Sequence, residues 1–194
     1  MILCKPMIIM VSVRYEECVD FLENKTVDSS DLIEPYSGDP TFIHFLQQYL
    51  KLTTSDGARG DIFGTSIAFY GNTALVGATG DTSGTGSVYV FTRTDDLTWT
   101  ETKKLTASDG SRDSYGDKFG NFIAFDGNTA LIGAYRDDSD TGSVYVFTRT
   151  GTDDSTWTET KKLTASDGEE DDRFGDSIAF NGNTALIGAS DDGA

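Results

Sequence analysis

From residue 63 onward, short apolar runs alternate with segments rich in Gly, Asn, Asp, Ser and Thr. The runs FGTSIAF (63–69), TALVGA (73–78) and GSVYVFTRT (86–94) return as FGNFIAF (119–125), TALIGA (129–134) and GSVYVFTRT (142–150). The first two return once more as FGDSIAF (174–180) and TALIGA (184–189). Runs of this length, rich in Val, Ile, Tyr and Phe and bounded by turn formers, predict β-strands. Gly71-Asn72, Gly127-Asn128 and Gly182-Asn183 separate the first run from the second, and a two-residue turn of this composition predicts a hairpin. Strand side chains alternate with period two, so Val88 and Val90 point to one face while Tyr89 and Phe91 point to the other. Both faces of that strand are therefore apolar. The run WTETKKL (99–105 and 157–163) keeps a Trp and a Leu but is otherwise Thr, Glu and Lys, the composition of a solvated or edge strand.

Phe63-Gly64, Phe119-Gly120 and Phe174-Gly175 open successive units, spaced by 56 and 55 residues. The twelve residues WTETKKLTASDG stand at 99–110 and again, letter for letter, at 157–168. Twelve identities mark a duplicated unit. Four strands per unit predict an all-β fold of β-propeller-type four-stranded antiparallel blades, with two full units and a partial third, an open or incomplete propeller. A sandwich covers one face of each sheet and needs no fixed period. A bare blade face would expose several hundred Å² of apolar surface, worth on the order of 10 kcal/mol at ~25 cal/mol per Å². Further blades, self-association or the N-terminal segment are expected to cover it.

Residues 1–50 read differently from the repeat region, 51–194. Asp39-Pro40 starts a helix, and Phe42, Phe45, Leu46, Tyr49 and Leu50 follow at helical spacing, which predicts a helix over about 40–50. A shorter helix is expected over about 15–23. Lys51 to Gly57 aligns with the KLTASDG of later units, so an outer strand should take over near residue 51. Residues 1–40 lack repeat character, as a foreign or mispredicted start would.

The net charge of -17 and the pI near 4.2 exclude a nucleic-acid binder, because phosphate contacts need clustered Lys and Arg. Anionic membranes are disfavoured for the same reason. A soluble protein in a salty or calcium-containing medium tolerates such charge, which is compatible with an extracellular home. Cys4 and Cys18 both lie outside the repeats, so no disulfide framework holds the main body. The apolar run Met7 to Val13 lacks a cleavage site and is not a clear signal peptide. No stretch has the length of a membrane span, and no membrane insertion is expected.

The units resemble FG-GAP repeats, the blades of integrin alpha-subunit propellers and of many secreted proteins. The resemblance rests on Phe63-Gly64, Phe119-Gly120 and Phe174-Gly175, on Val76-Gly77-Ala78, Ile132-Gly133-Ala134 and Ile187-Gly188-Ala189, and on Asp61, Asp117 and Asp172 before each Phe-Gly. It covers about residues 50 to 194. Thr79, Tyr135 and Ser190 replace the Pro of the family name. The D-x-D-x-D-G calcium cage between the first two strands is replaced by the tight Gly-Asn turn, so that metal site is not carried over. What the resemblance implies is an adhesion or binding role, with an unidentified protein or glycan ligand, in a secreted or surface protein.

Other motifs have plainer readings. Asp81, Ser83, Thr85 and Gly86, and again Asp137, Ser139, Thr141 and Gly142, place oxygens at alternate positions before a Gly, as a calcium loop begins. Thr148 stands where the second copy would need a bidentate acid, and Asx-turns explain the same residues at lower cost. No cofactor is expected, with calcium in these loops as the alternative. Arg59-Gly60-Asp61 is a three-residue match of little specificity, and Asp61 is the repeat's own acid. The run Glu169 to Asp172 reads as a solvated loop. Asn24-Lys25-Thr26 is a sequon that matters only on secretion. The single histidine, His44, lies outside the repeats and has no triad partner in them. The residues before Trp99 and Trp157 lack the Gly of a sialidase Asp-box. A binding scaffold is therefore favoured over an enzyme. The alternatives are a decayed copy without independent function, or part of a propeller enzyme whose catalytic residues lie elsewhere.

Overall fold

The computed structural model describes residues 8–10, 50–94, 98–111, 115–151 and 153–193. By contact the chain divides into one compact unit over 9–52 and another over 53–194 together with 1–8. Strand β1 (Ile8–Met10) pairs with β2 (Leu50–Leu52) in a two-stranded sheet. The helix expected over about 15–23 and, save Leu50, the helix expected over about 40–50 lie outside the described residues; Leu50 itself is strand and not helix. At Leu50 the chain is already strand, as the alignment of Lys51 to Gly57 with KLTASDG required.

The first repeat is an antiparallel meander of β3 (Phe63–Tyr70), β4 (Thr73–Ala78), β5 (Ser87–Arg93) and β6 (Trp99–Leu105), paired in that order. The second repeats it with β7 (Ile123–Asp126), β8 (Thr129–Ala134), β9 (Ser143–Thr148) and β10 (Thr158–Leu163). The third supplies β11 (Phe174–Phe180) and β12 (Ala185–Ala189). Among the described residues the fold is thus nearly all-β, made of blades that do not close into a ring. Gly71 and Gly127 take positive φ in the two-residue hairpins, 58° and 62°, while their Asn partners do not. Gly first is the order such a tight turn favours.

Strand β7 starts later than its sequence predicts. The Phe-Gly step is irregular in every unit. In the first, Phe63 pairs with Ala78 but the next pair is Ile67 with Val76, so the chain bulges between them. The third does the same between Phe174 and Ser177. In the second unit the bulge leaves Phe119 in an isolated parallel bridge to Gly86 of the first blade. The irregularity serves the contact between blades, described below.

The core lies between blades. Leu75, Val88, Val90 and Leu105 of the first pack against Phe119, Ile123, Ile132, Tyr145, Phe147 and Trp157 of the second. Leu131 and Val144 of the second pack against Ile178 of the third. Both faces of β5 are buried, as Val88, Tyr89, Val90 and Phe91 predict. The outer strands are half-buried and polar apart from Leu105, and Trp157, just ahead of β10, is buried against Phe125 at 5.6 Å between ring centroids.

Candidate functional site

Each of the two full units joins its second strand to its third through the loop that begins at Asp81 or Asp137. Thr82, Ser83 and Gly84 all have positive φ, as do Asp138, Ser139 and Asp140. Three successive left-handed residues cost roughly 1–2 kcal/mol each outside glycine, so the surroundings must hold them. They are held by the next blade. The Lys118 N–H donates to Gly84 O at 3.0 Å and the Phe119 N–H to Thr85 O at 2.9 Å. One unit on, the Arg173 N–H donates to Asp140 O at 2.8 Å and the Phe174 N–H to Thr141 O at 2.9 Å. The left-handed turn aims carbonyls outward along the stack, where the next Phe-Gly entry takes them.

A second repeated device ties each outer strand to the linker that leads into its blade. Glu101 on β6 accepts the Ser55 N–H at 2.7 Å and the Ser55 hydroxyl at 2.8 Å. Lys104 Nζ lies 2.7 Å from Asp56 and 2.6 Å from Asp81, and the Tyr89 hydroxyl donates to Asp56 at 2.7 Å. The second blade repeats every part. Glu159 accepts the Ser108 N–H and hydroxyl at 2.9 and 2.8 Å, Lys162 reaches Asp109 at 2.8 Å and Asp137 at 2.6 Å, and the Tyr145 hydroxyl donates to Asp109 at 2.7 Å. WTETKKLTASDG therefore carries both halves of a clasp. In both copies the Glu and second Lys grip the Ser-Asp before their blade, and in the first copy Ser108-Asp109 is gripped in turn by the blade after. Identity of the two copies follows from that chaining.

The charges respond accordingly. The hydrogen bond from Lys104 holds Asp56 below the ordinary carboxylate range. Burial pushes Asp81 and Asp109 upward, but the hydrogen bonds from Lys104 and Lys162 outweigh it and leave both lowered. Burial opposes charge on Lys104 and Lys162, yet their aspartate partners raise both. Burial, with the neighbouring aspartate, raises the Tyr89 and Tyr145 phenols.

Between the two full blades a third network is buried. Arg149 pairs with Asp154, whose carboxylate accepts the Thr73 hydroxyl at 3.1 and 3.0 Å and the hydroxyl of Thr92 from the first blade. The guanidinium of Arg149 sits 5.3 Å from the Trp157 ring and 5.7 Å from Phe125. Lys103 of β6 adds bonds to Ser155 O at 2.9 Å and Trp157 O at 2.6 Å.

The repeat-defining residues are brought together as pairs across blades. A Cβ on Gly77 would lie 2.2 Å from Gly120 O, and one on Gly133 would lie 2.2 Å from Gly175 O. Gly64, Gly120 and Gly175 have φ of 98°, 89° and 93°, a region that favours glycine. Phe63 stands between the rings of Tyr89 and Phe91, and Phe119 between those of Tyr145 and Phe147. Phe174 and Gly188 hold the corresponding places in the third unit.

The proposed calcium oxygens have other partners. Asp81 and Asp137 serve the lysines and tyrosines, and the Thr85 hydroxyl donates to Ser111 O at 2.7 Å. Ser83 and Ser139 are exposed at the loop tips and Thr141 is half-buried. Among the described residues no three His, Cys, Asp or Glu groups are placed to share a metal. Asp61 is buried and accepts the Ala58 N–H at 2.6 Å, so the Arg59-Gly60-Asp61 loop turns its acid inward. Asp117 and Asp172 close their loops likewise, on the Ser111 and Glu169 N–H groups. His44, Asn24 and both cysteines lie outside the described residues.

The lysines, tyrosines and glutamates of the clasp, and the Arg149–Asp154 pair, went unrecognised in the sequence. Their signal was the letter-for-letter copy itself: Lys104 and Lys162, and Glu101 and Glu159, keep their places in a strand whose exposed positions have no packing reason to be fixed.

Among the described residues no helix is long and apolar enough to cross a membrane. A family model described as FG-GAP repeat matches residues 46–91, 99–147 and 157–194. No curated protein matches the chain.

Proposed function

The chain belongs to the FG-GAP repeat family, and from that premise we propose that it is a non-enzymatic binding and adhesion module, part of a larger secreted or surface propeller. The family's typical extracellular setting and the acidic charge of -17 support this home. The observation that carries the reading is where the chemistry goes. Charged side chains common to the two full units, among them Glu101, Lys104 and Asp81 with Glu159, Lys162 and Asp137, hold blades and linkers together. What they leave presented is a pair of equivalent loops, 79–86 and 135–142, with Ser83 and Ser139 exposed at the tips and Asp138 exposed beside Lys162 at 3.3 Å. Loops fixed on a sheet scaffold are where binding residues concentrate. A protein or glycan ligand would lie across those tips.

The test is binding of the immobilised chain to panels of glycans and extracellular-matrix proteins, beside an Asp138→Ala, Ser139→Ala variant. A ligand retained by the parent and lost by the variant supports the reading. Turnover of glycan or ester substrates by the chain would overturn its non-enzymatic part, and binding indifferent to both loops would overturn the rim site.

A further inference from the structure

The second unit departs from the repeat at two places, separated in sequence, that meet in space. Eight residues stand between Gly110 and Phe119, where five stand between Gly57 and Phe63 and five between Gly168 and Phe174. The longer linker brings in Tyr115. After the second strand, Tyr135-Arg136 takes the place that Thr79-Gly80 and Ser190-Asp191 hold in the other units. The Arg136 guanidinium lies across the Tyr115 ring at 5.4 Å and the Tyr135 ring at 5.6 Å. Stacking of blades requires neither departure. The third unit enters on a five-residue linker and still makes the same docking bonds, Arg173 N–H to Asp140 O and Phe174 N–H to Thr141 O.

Backbone contacts fix this group between the two rim loops. Tyr115 and Gly116 are pressed onto the loop 79–86 of the first blade: a Cβ on Gly84 would lie 2.9 Å from Tyr115 O, and one on Gly116 would lie 2.2 Å from the Gly84 carbonyl carbon. Arg136 is held on both sides, its N–H donating to Asp117 O at 3.2 Å and its carbonyl accepting the Asp140 N–H at 3.2 Å. The Arg136 Nε stands 3.7 Å from the Asp140 carboxylate. Tyr115 is 69% exposed, while Tyr135 and Arg136 are half-buried beneath it. An aromatic surface thus faces water with a guanidinium and a carboxylate at its edge.

We infer that Tyr115, Arg136 and Asp140 form a site for a neutral pyranose, an inference that rests on the rim-loop reading above and narrows its ligand to a glycan. A pyranose has a face of C–H groups and a rim of hydroxyls. The exposed tyrosine takes the face, the guanidinium donates to the hydroxyls and the carboxylate accepts from them. The charge of Arg136 is already balanced by Asp140. A uronic or sulfated sugar would have to displace that carboxylate and enter the field of a chain of net charge -17. A neutral ring meets neither cost.

The probes are the methyl glycosides of glucose, galactose and mannose, with methyl glucuronide as the charged control, each titrated against the whole chain by saturation-transfer NMR. At least one neutral glycoside is expected to bind with a Kd of about 1–10 mM, the scale for a ligand of about a dozen non-hydrogen atoms. Transfer should be strongest to the C–H protons of one ring face. Tyr115→Ala and Arg136→Met should each weaken binding about tenfold, while Tyr115→Phe, which keeps the ring, should stay within about twofold. Tyr115 is exposed, so Tyr115→Ala should melt with the parent and keep the comparison clean. Absence of transfer to every neutral glycoside, or tighter binding of the glucuronide, would overturn the inference. Binding that survives Tyr115→Ala but is lost in the Asp138→Ala, Ser139→Ala variant would overturn this site and leave the rim-loop reading standing, as would capture of matrix proteins with no glycoside bound.

Discussion

Gly77 on β4 and Gly120 at the entry to the second blade touch backbone to backbone, so closely that a Cβ on Gly77 would lie 2.2 Å from Gly120 O and 2.5 Å from Ser66 Oγ. The Ser66 hydroxyl donates to that same carbonyl at 2.6 Å. The Phe-Gly of one unit and the Gly-Ala of the one before are thus two sides of a single contact. Their joint recurrence along the chain is the recurrence of an interface.

Gly77→Ala and Gly133→Ala should therefore separate blades. Backbone cannot yield as a side chain can, so each is expected to destabilise by about 2–3 kcal/mol, the upper part of the overpacking range. Gly71→Ala is the contrast: its Cβ would meet nothing within 4 Å, and only its φ of 58° resists. That change should cost about 1 kcal/mol. Denaturant unfolding of the three variants checks the order.

The clasp gives a second comparison within one strand. Lys162→Met removes the partner of Asp109 and Asp137 and should cost about 1–2 kcal/mol, because Asp137 is buried while the lysine is partly in water. Lys161→Met, one residue earlier and exposed, should stay within about 0.5 kcal/mol. Equal effects in thermal unfolding would sink the assignment of the clasp to Lys162.

Strands and unit edges were legible because their causes are local: a period of two, Gly-led turns, and the Phe-Gly that marks each entry. The contacts were not, because each joins residues from different units. Asp109 meets Tyr145 and Lys162 across most of a repeat, and nothing near Asp109 in sequence says so. Asp154 stands in a polar run before Trp157 that carries no pattern of its own, yet it is buried under Thr73 and Thr92. The loops at 81–86 and 137–142 were seen as polar and candidate calcium ligands, whereas their left-handed backbone and docking carbonyls depend on ψ and φ that Thr, Ser and Asp do not announce.

The clasp also sets the pH range of stability. Asp56, Asp81 and Asp109 are lowered when folded, so the unfolded chain binds more protons in acid. Their contribution is complete above the ordinary aspartate value of about 3.9 and is lost as pH falls through the folded values. Lys104, Lys162, Tyr89 and Tyr145 are raised, so their contribution is complete below the unfolded value of about 10 and falls away as pH rises further. Melting temperature against pH should show a plateau between these limits, and Tyr145→Phe should lessen the alkaline fall.

Asp154 offers the sharpest separation of pairing from packing. Its side chain and that of Arg149 are 2% and 7% exposed, and it takes hydroxyls from both Thr73 and Thr92 of the neighbouring blade. Asp154→Ala leaves the guanidinium buried without its counter-charge and should cost about 3–5 kcal/mol. Arg149→Met should cost a comparable amount, since it strands the carboxylate and also removes the stacking on Trp157 and Phe125. The double variant removes both charges together and should be more stable than the sum of the single losses predicts. A coupling energy of about 2 kcal/mol or more in a double-mutant cycle by denaturant unfolding is expected. Additive losses would mean that the two groups contribute through their separate neighbours, and that the blades are joined by Trp157 packing and not by the ion pair.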